Sequence, residues 1–258
     1  MTDAKTLAIV PVKALDGAKR RLAPALAPCE RRRLVLAMLN DVLALLRDVP
    51  SIARVLVVTP DPEVASLATS HGADVVAEDG HGDLNAAVRR GLAHAGHTGA
   101  ARALVIPADV PLATHAEIAS ILACAPAGAK PQVVIVPSED GEGTNALLLA
   151  PPEAMRPEFG EGSFVRHVAQ AVALGLDFCV LRLPGLAADI DQPPDLARLA
   201  ACDGYAFLTK AGPNATAKTS PNATAKTDLS ATAGTSLAAT DTGPNTAENT
   251  GHSPDRDR

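Results

Sequence analysis

Short apolar runs alternate with longer amphipathic segments over the first two hundred residues of the chain. Runs rich in Val, Ile and Leu and bounded by turn residues are typical of buried strands, and the periodic segments between them are typical of helices. The predicted strands are LAIVPV, RVLVVT, DVVAE, ALVIPA, QVVIVPS, NALLLA and FCVLRL. The predicted helices cover about 29–48, 61–70, 83–96, 113–124, 163–174 and 193–201. This alternation indicates βαβ units, and therefore an α/β fold with a mostly parallel central sheet.

The composition changes abruptly near residue 209, where a segment rich in Ala, Thr, Asn and Pro begins and PNATAKT occurs twice. A segment with so few large apolar residues cannot bury enough surface to offset the entropy of ordering it. We therefore expect a single domain over residues 1–208 and a disordered, low-complexity tail over residues 209–258.

Composition and charge exclude several classes of function. The chain has 258 residues, of which 47% are hydrophobic, with no Trp, one Tyr and four Phe, so aromatic stacking on nucleic-acid bases is not expected. The formal net charge of −6 argues against a general nucleic-acid binder. No segment reaches the ~20 apolar residues of a membrane span, and we expect a cytoplasmic protein.

Cysteines and histidines show no metal-binding pattern. The cysteines are widely spaced without a CxxC pair, which favours reduced, mostly buried thiols: Cys29, Cys124, Cys179 and Cys202. We interpret six histidines as surface or loop residues and assign none of them a functional role: His71, His81, His94, His97, His115 and His167.

A basic loop, VKALDGAKRRL, follows the first predicted strand directly. Its cations, Lys13, Lys19, Arg20 and Arg21, stand on a loop that contains Gly17, and cations with free loop amides suit a polyphosphate. The loop lacks the GxxxxGK[ST] pattern of a Walker A motif. The alternative is a solvated basic turn that leads into a helix.

Acidic residues follow two other predicted strands. Asp109 lies in IPADVPL between Pro107 and Pro111. The two prolines prevent the backbone from continuing there as a helix or as a hydrogen-bonded β-ladder. Asp189 and Asp191 lie in LAADIDQPPDL, and DxD spacing on an extended backbone directs both side chains to the same side. Carboxylate oxygens of this kind suit Mg²⁺ together with substrate phosphates. Alternatively, Asp191 is a turn residue or a helix cap.

Two glycine-bearing turns carry hydroxyl groups: SEDGEGTNALLL, residues 138–149, with Thr144, and FGEGSF, residues 159–164, with Ser163. Backbone amides at such a helix start suit a carboxylate or phosphate. The alternative is an ordinary hairpin turn and an ordinary capped helix.

The segment HGDLNAAVRRGL opens another predicted helix. In it, Gly82 precedes the helix and Asn85 could hydrogen-bond the edge of a nucleobase. The alternative is a surface helix that begins at a glycine.

Taken in order, VPVKALDGAKRRL, GDLNAAVRRG, IPADVPL, SEDGEGTNALLL, FGEGSF and ADIDQPPDL resemble the guanylyltransferases of coenzyme F420 biosynthesis, the family often called CofC or FbiD. The resemblance spans about residues 7 to 200. It implies a single Rossmann-like, GT-A-like nucleotidyltransferase domain. It also implies transfer of GMP from GTP to a three-carbon phospho-acid with release of diphosphate. The acceptors to be distinguished are phosphoenolpyruvate, 2-phospho-L-lactate and 3-phospho-D-glycerate.

The resemblance also implies roles for individual residues. Mg²⁺ is expected on Asp109, Asp189 and Asp191. The phospho-acid is expected on Thr144, Gly160 and Ser163. The GTP triphosphate is expected on Lys13, Lys19 and Arg21, with Gly82 and Asn85 near the guanosine. The product would pass to a downstream transferase of the F420 pathway, and a homodimer is the default expectation for a soluble enzyme.

Three alternatives stay open from the sequence. A molybdopterin or sugar-phosphate nucleotidyltransferase would typically open with a glycine-rich loop that VPVKALDGAKRRL lacks. A sugar-nucleotide glycosyltransferase would leave GTNALLL and FGEGSF without a purpose. A non-catalytic nucleotide-binding or scaffold protein has no need of three metal-ligand positions.

Overall fold

Every predicted apolar run forms a strand in the computed structural model, which describes residues 5–77, 83–125 and 130–208. The strands are β1 Thr6–Pro11, β2 Ile52–Thr59, β3 Asp74–Ala77, β4 Arg102–Val105, β5 Gln132–Pro137, β6 Thr144–Ala150 and β7 Asp177–Val180. The α-helices are α1 Pro28–Arg47, α2 Pro62–Ser70, α3 Leu84–His97, α4 His115–Cys124, α5 Ser163–Ala173 and α6 Pro184–Ala187. The predicted tail and its boundary lie outside the described residues and stay predictions.

The strands form one sheet in the order β3-β2-β1-β4-β6-β5-β7. Strands β1 to β4 pair in parallel, and β5 pairs in parallel with β7. Strand β6 runs antiparallel to both β4 and β5, because a short turn joins it directly to β5. The sheet is thus mixed and mostly parallel, and the predicted α/β class is confirmed.

Helices cover both faces of the sheet, so side chains of alternate strand residues enter two different cores. On β1, Ala8 and Val10 pack in the core that α1, α2 and α4 cover. Leu7 and Ile9 pack in the opposite core, beneath α3 and α5. A strand buried on both faces reads as a continuous apolar run, which explains the pattern of TLAIVP.

The order in which the chain adds strands to the sheet changes side at β1. From β1 it proceeds outward through β2 to β3, and it then returns to place β4 on the other side of β1. In open α/β sheets, ligands bind outside the carboxyl ends of the strands at such a switch point. A ligand-binding site is therefore expected at the loops that follow β1 and β4.

Three details differ from the sequence-based expectations. The predicted last helix is a 3-10 segment, Pro193–Leu199, since two consecutive prolines open it and remove backbone donors. The short helix α6 was not predicted, because one turn carries no periodic pattern. The prediction of reduced, mostly buried cysteines is wrong for Cys124 and Cys179, which form a disulfide, and for Cys29, which is exposed.

None of the helices in the described ranges is long and apolar enough to cross a membrane.

Candidate active site

The basic loop after β1 folds back over the end of the sheet. Gly17 has a φ of +73°, and Lys19 has a φ of +50°, a left-handed conformation that is uncommon for a residue with a side chain. The loop is also held at Leu15, whose backbone N–H donates to Asp61 Oδ2 at 2.9 Å. Asp61 in turn caps α2 by accepting from the backbone N–H of Glu63. The loop is therefore anchored to a neighbouring helix, and the strained backbone at Lys19 directs its side chain inward.

Lys19 joins the basic loop to the predicted acidic residues. Its Nζ donates to Asp109 Oδ2 at 2.7 Å and to Asp191 Oδ1 at 3.2 Å. Arg21 Nη1 donates to Asp191 Oδ2 at 2.6 Å. The Lys19 side chain is only 10% exposed, whereas that of Arg21 is 74% exposed. Lys19 thus forms the inner ion pair of the site and Arg21 the outer one.

These ion pairs shift the protonation equilibria of the groups that form them. Burial lowers the pKa of Lys19, but the carboxylates of Asp109 and Asp191 outweigh it, and the net shift is upward. Burial raises the pKa of Asp191, yet Lys19 and Arg21 hold it below its usual range. Lys19 and Asp191 are therefore both charged near neutral pH.

The acidic residues converge because two chain segments bond to each other. The backbone N–H of Ile190 donates to the carbonyl oxygen of Asp109 at 3.0 Å. Ile190 is fully buried, while Asp189 and Asp191 on either side of it are partly exposed and face the cavities. This is the alternation that the DxD spacing predicted, with both carboxylates on one side of an extended segment.

Asp189 lies in a different environment from the other two acids. Burial and the charge of Asp109 raise its pKa above the usual range for a carboxyl group. Asn145 Nδ2 donates to Asp189 Oδ1 at 3.2 Å and to the carbonyl oxygen of Ala187 at 3.0 Å. A carboxylate that is destabilised by burial and by a neighbouring acid is one that an added cation would stabilise.

Two cavities meet at these acids. The first has a volume of about 580 Å³ and is bounded by the basic loop, including Lys13, Gly17 and Lys19, and by residues of α1. The second has a volume of about 460 Å³ and extends over β6 toward the start of α5. Asp109 and Asp191 line both cavities. The acids thus form the boundary between two compartments of different chemistry.

The second cavity contains the predicted hydroxyl groups. Thr144, Gly160 and Ser163 all line it, together with Asp189 and Arg21 from the acidic side. Ser163 Oγ is buried and has no hydrogen-bond partner within the described part of the chain. An orphaned polar atom of this kind inside a cavity fits a site that is completed by a ligand.

The FGEGSF turn contains two backbone positions that favour glycine. Gly160 has a φ of +119° and Gly162 a φ of +66°, and Gly162 is the residue that caps α5. The alternative of a helix capped by the Ser163 hydroxyl is therefore wrong, because Ser163 is the first helical residue and no side-chain cap bond is formed. Its hydroxyl remains free for the cavity.

Residues predicted near the guanosine are placed differently. Gly82 lies outside the described residues. Asn85 is used by the protein itself: its Oδ1 accepts from the backbone N–H of Phe159 at 2.7 Å, and its Nδ2 donates to the carbonyl oxygen of Phe159 at 3.0 Å. Asp83 begins α3 by accepting from the backbone N–H of Ala86. The role of Asn85 toward a nucleotide stays a prediction, and the bond that the structure gives it supports the FGEGSF turn.

Two supporting residues were missed by sequence reasoning. Asn145 was read only as part of the strand NALLLA, although it holds Asp189. His167 was expected at the surface, but it is fully buried in α5 and bonds to Thr144. A lone amide or imidazole carries no pattern in sequence, but the helical spacing of Ser163 and His167, four apart on one face, could have signalled the second.

A divalent metal fits the donor chemistry here without a preformed cage. No group of three His, Cys, Asp or Glu side chains within residues 5–77, 83–125 and 130–208 is arranged to hold a metal ion. Asp109 and Asp191 do share a cation, the Lys19 ammonium, at 2.7 and 3.2 Å. Mg²⁺ usually binds through one or two protein carboxylates plus substrate phosphates, so a full cage is not required.

Comparison with known proteins identifies relatives over the whole described region. The family model for "Guanylyl transferase CofC like" matches residues 6–227. A phosphoenolpyruvate guanylyltransferase of Sphaerobacter thermophilus is 45% identical over 195 residues, which cover 76% of this chain and 92% of that protein. A 2-phospho-L-lactate guanylyltransferase of Methanothermobacter thermautotrophicus is 38% identical over 196 residues, covering 76% of this chain and 84% of that protein.

A solved structure supports the fold independently. A nucleotidyl transferase from Methanothermobacter thermautotrophicus superposes with a TM-score of 0.55 at 18% identity, covering 80% of this chain and 98% of that one. At this identity the likeness concerns the fold alone, and it confirms the nucleotidyltransferase-like architecture.

Proposed function

The chain belongs to the CofC-like guanylyl transferase family, and from that premise we propose that it transfers GMP from GTP to phosphoenolpyruvate, releasing diphosphate. Nucleotidyl transfer is the activity that its relatives' names share. The choice of acceptor follows the name of the 45% identical relative rather than that of the 38% identical one.

One observation carries this proposal: the two cavities share Asp109 and Asp191 as a common wall. Transfer between two phosphorylated substrates requires that each have its own compartment and that their reacting phosphates meet. One compartment is bounded by the basic loop, and the other contains a hydroxyl without a partner among the described residues. This is the arrangement that the reaction needs.

The first cavity is the proposed GTP site. Lys13 and Lys19 line it and provide positive charge for the triphosphate, and Arg21, which lines the second cavity, adds positive charge at Asp191 on the shared wall. Lys19 and Arg21 are now engaged with the acids, so binding of a triphosphate would redistribute these contacts. Gly82 and Asn85 stay in the proposal as residues near the guanosine, with Asn85 acting through its support of the FGEGSF turn.

The acids are the proposed Mg²⁺ ligands. Asp109 and Asp191 already balance a cation, and the raised pKa of Asp189 reflects burial and the repulsion of Asp109, which a divalent ion would relieve. When bound, Mg²⁺ would neutralise the charge that develops on the phosphates during transfer. Lys19 would then be free to turn toward the nucleotide.

The second cavity is the proposed acceptor site. Thr144 and Ser163 offer hydroxyl groups, and Gly160 lets the backbone approach a ligand closely. A carboxylate and a phosphate on three carbons are both strong hydrogen-bond acceptors, so such neutral donors match them. These residues would hold the acceptor with its phosphate toward the shared acidic wall.

In the reaction itself, an oxygen of the acceptor's phosphate attacks the α-phosphorus of GTP. A new P–O bond forms, the bond between the α-phosphorus and the bridging oxygen breaks, and diphosphate leaves with that electron pair. A phosphate monoester is mostly ionised near neutral pH, since its second pKa is about 6, so no general base is required. The residues of this chain therefore contribute orientation and charge balance.

The wider setting is also part of the proposal. We place the reaction in coenzyme F420 biosynthesis in the cytoplasm, with the product consumed by a downstream transferase. A homodimer stays the default expectation for such an enzyme.

The test is diphosphate release from GTP and Mg²⁺ with phosphoenolpyruvate, 2-phospho-L-lactate and 3-phospho-D-glycerate in separate reactions. We expect the highest kcat/KM with phosphoenolpyruvate, and ATP serves as the nucleotide control. A preference for another acceptor would correct the substrate. Absence of release with all three would overturn the proposed function.

A further inference from the structure

His167 contacts two residues that line the acceptor cavity, Thr144 and Phe159, although it does not line that cavity itself. It projects from the second turn of α5 and is fully buried. Its Nδ1 lies 2.9 Å from Thr144 Oγ1, and its Nε2 lies 2.9 Å from the backbone nitrogen of Glu158. The ring of Phe159 packs on it edge to face, with centroids 5.2 Å apart and planes at 73°.

The partner of Nε2 decides which tautomer the ring adopts. A backbone N–H can only donate, so the Glu158 N–H requires a lone pair on Nε2. A neutral imidazole carries one proton, and that proton must therefore be on Nδ1. Burial, assisted by the nearby charge of Arg166, lowers the pKa of His167 to about 4, so the ring is neutral at physiological pH.

The tautomer then decides the direction of the Thr144 hydroxyl. Because Nδ1–H donates, Thr144 Oγ1 accepts, and the hydroxyl proton must point away from the ring. Thr144 Oγ1 makes no second hydrogen bond among the residues that the structure describes. Thr144 lines the acceptor cavity, and the side where a proton can point is that cavity.

We propose that His167 is a positioning residue that fixes the Thr144 hydroxyl as a hydrogen-bond donor to an anionic oxygen of the acceptor. This inference rests on the proposed function, since it names what one side chain of the acceptor site does. Without His167, the hydroxyl could rotate and present its lone pairs, which would repel a carboxylate or phosphate oxygen. The same ring fixes the backbone of Glu158, and so links the two halves of the acceptor site.

The first test is independent of activity. Long-range ¹H–¹⁵N correlation spectra of histidine-labelled protein at pH 7 show which ring nitrogen of each histidine carries a proton. We expect His167 to be protonated at Nδ1 alone, and a His167→Gln variant assigns its signals. Protonation at Nε2, or at both nitrogens, would overturn the inference even if the enzyme proves active.

The second test uses two variants that each preserve half of the ring's contacts. His167→Asn keeps an amide near the position of Nδ1, and so keeps a donor for Thr144. His167→Gln reaches the position of Nε2, and so keeps an acceptor for Glu158. We expect His167→Gln to raise the KM for the acceptor about three- to tenfold, the worth of one hydrogen bond, with the KM for GTP unchanged. His167→Asn should restore part of the loss.

A double-substitution cycle separates positioning from simple structural support. With Thr144→Val the hydroxyl is gone, and His167→Gln added to it should leave the acceptor KM where Thr144→Val alone puts it. If the two effects multiply instead, His167 does not act through Thr144 and the inference is wrong. His97→Asn, an exposed histidine at the end of α3, is the control.

The two proposals fail in different ways. An unsubstituted enzyme that releases no diphosphate with any acceptor contradicts the proposed function, while the tautomer of His167 is still decided by its spectrum. An active enzyme with the cycle additive contradicts only the inference about His167.

Discussion

Each of the two cavities is proposed to bind a phosphorylated substrate, but their polar groups are paired differently. On the GTP side, the charged groups pair with one another, with Lys19 bridging Asp109 and Asp191. On the acceptor side, Arg21 stands at the shared acidic wall, the other predicted donors are the neutral hydroxyls of Thr144 and Ser163, and Ser163 has no partner among the described residues. Buried charges need partners far more than buried hydroxyls do. The difference teaches that charges already paired with one another must rearrange to bind a ligand, whereas an unpaired hydroxyl can be ready in advance.

The largest effect is expected at the wall that the two cavities share. Asp109→Asn removes one charge without changing shape, and we expect kcat to fall by about 10²–10³-fold, as when one electrostatic stabiliser is lost. The measurement is diphosphate release at saturating Mg²⁺ and both substrates. Asp177→Asn, at the exposed start of β7, is the matched control. Near-normal turnover of Asp109→Asn would remove Asp109 from the proposed metal site.

The next prediction compares the loss of activity on substitution of each of the two basic partners of Asp191, Lys19 and Arg21. Lys19→Met removes a buried charge and leaves two carboxylates without it, whereas Arg21→Met removes a charge whose side chain is 74% exposed. Breaking a buried pair costs more than breaking an exposed one. We expect kcat/KM for GTP to fall at least about tenfold further in Lys19→Met than in Arg21→Met. Equal losses would mean that burial does not distinguish their roles.

A smaller effect is expected at the Ser163 hydroxyl in the acceptor cavity, where a substitution should weaken acceptor binding without lowering stability. Ser163→Ala removes a hydroxyl that has no partner within the described chain, so the free energy of unfolding should stay the same or rise. The acceptor KM should nevertheless rise about tenfold, because the ligand loses a donor. Thermal unfolding and acceptor titrations on the same preparation measure both. A destabilised variant with unchanged KM would show that Ser163 is structural.

The smallest effect is a pH dependence of stability at His167. Its pKa is about 4 when folded and about 6.5 when unfolded, so the unfolded chain binds the extra proton, and the free energy of unfolding falls as the pH is lowered through this window. From pH 6.5 to 5.5 the contribution to the free energy of unfolding should fall by about 1 kcal/mol. Urea unfolding at the two pH values, compared with His167→Asn, measures it. An identical change in parent and variant would contradict a neutral buried ring.

Much of the site was predictable because its residues stand at the ends of strands. Asp109 follows β4 between two prolines, and Lys19 follows β1, so topology alone brings these loops to one edge of the sheet. The DxD spacing likewise predicted that Asp189 and Asp191 face the same way. What spacing cannot express is a partner from elsewhere in the chain: Asn145 holds Asp189 from 44 residues away, and Asn85 holds Phe159 from 74 residues away.

The sequence by itself determined the order of strands and helices, the mostly parallel sheet and the six motifs that mark the family, because periodicity and local turn chemistry act over a few residues. Only the tertiary structure decided how the polar side chains pair. It left the Ser163 hydroxyl without a partner among the described residues, and it showed that His167, which was expected at the surface or in a loop, is a buried ring with one allowed tautomer. Burial and hydrogen-bond direction depend on neighbours distant in sequence, and they determine which donors remain for a ligand.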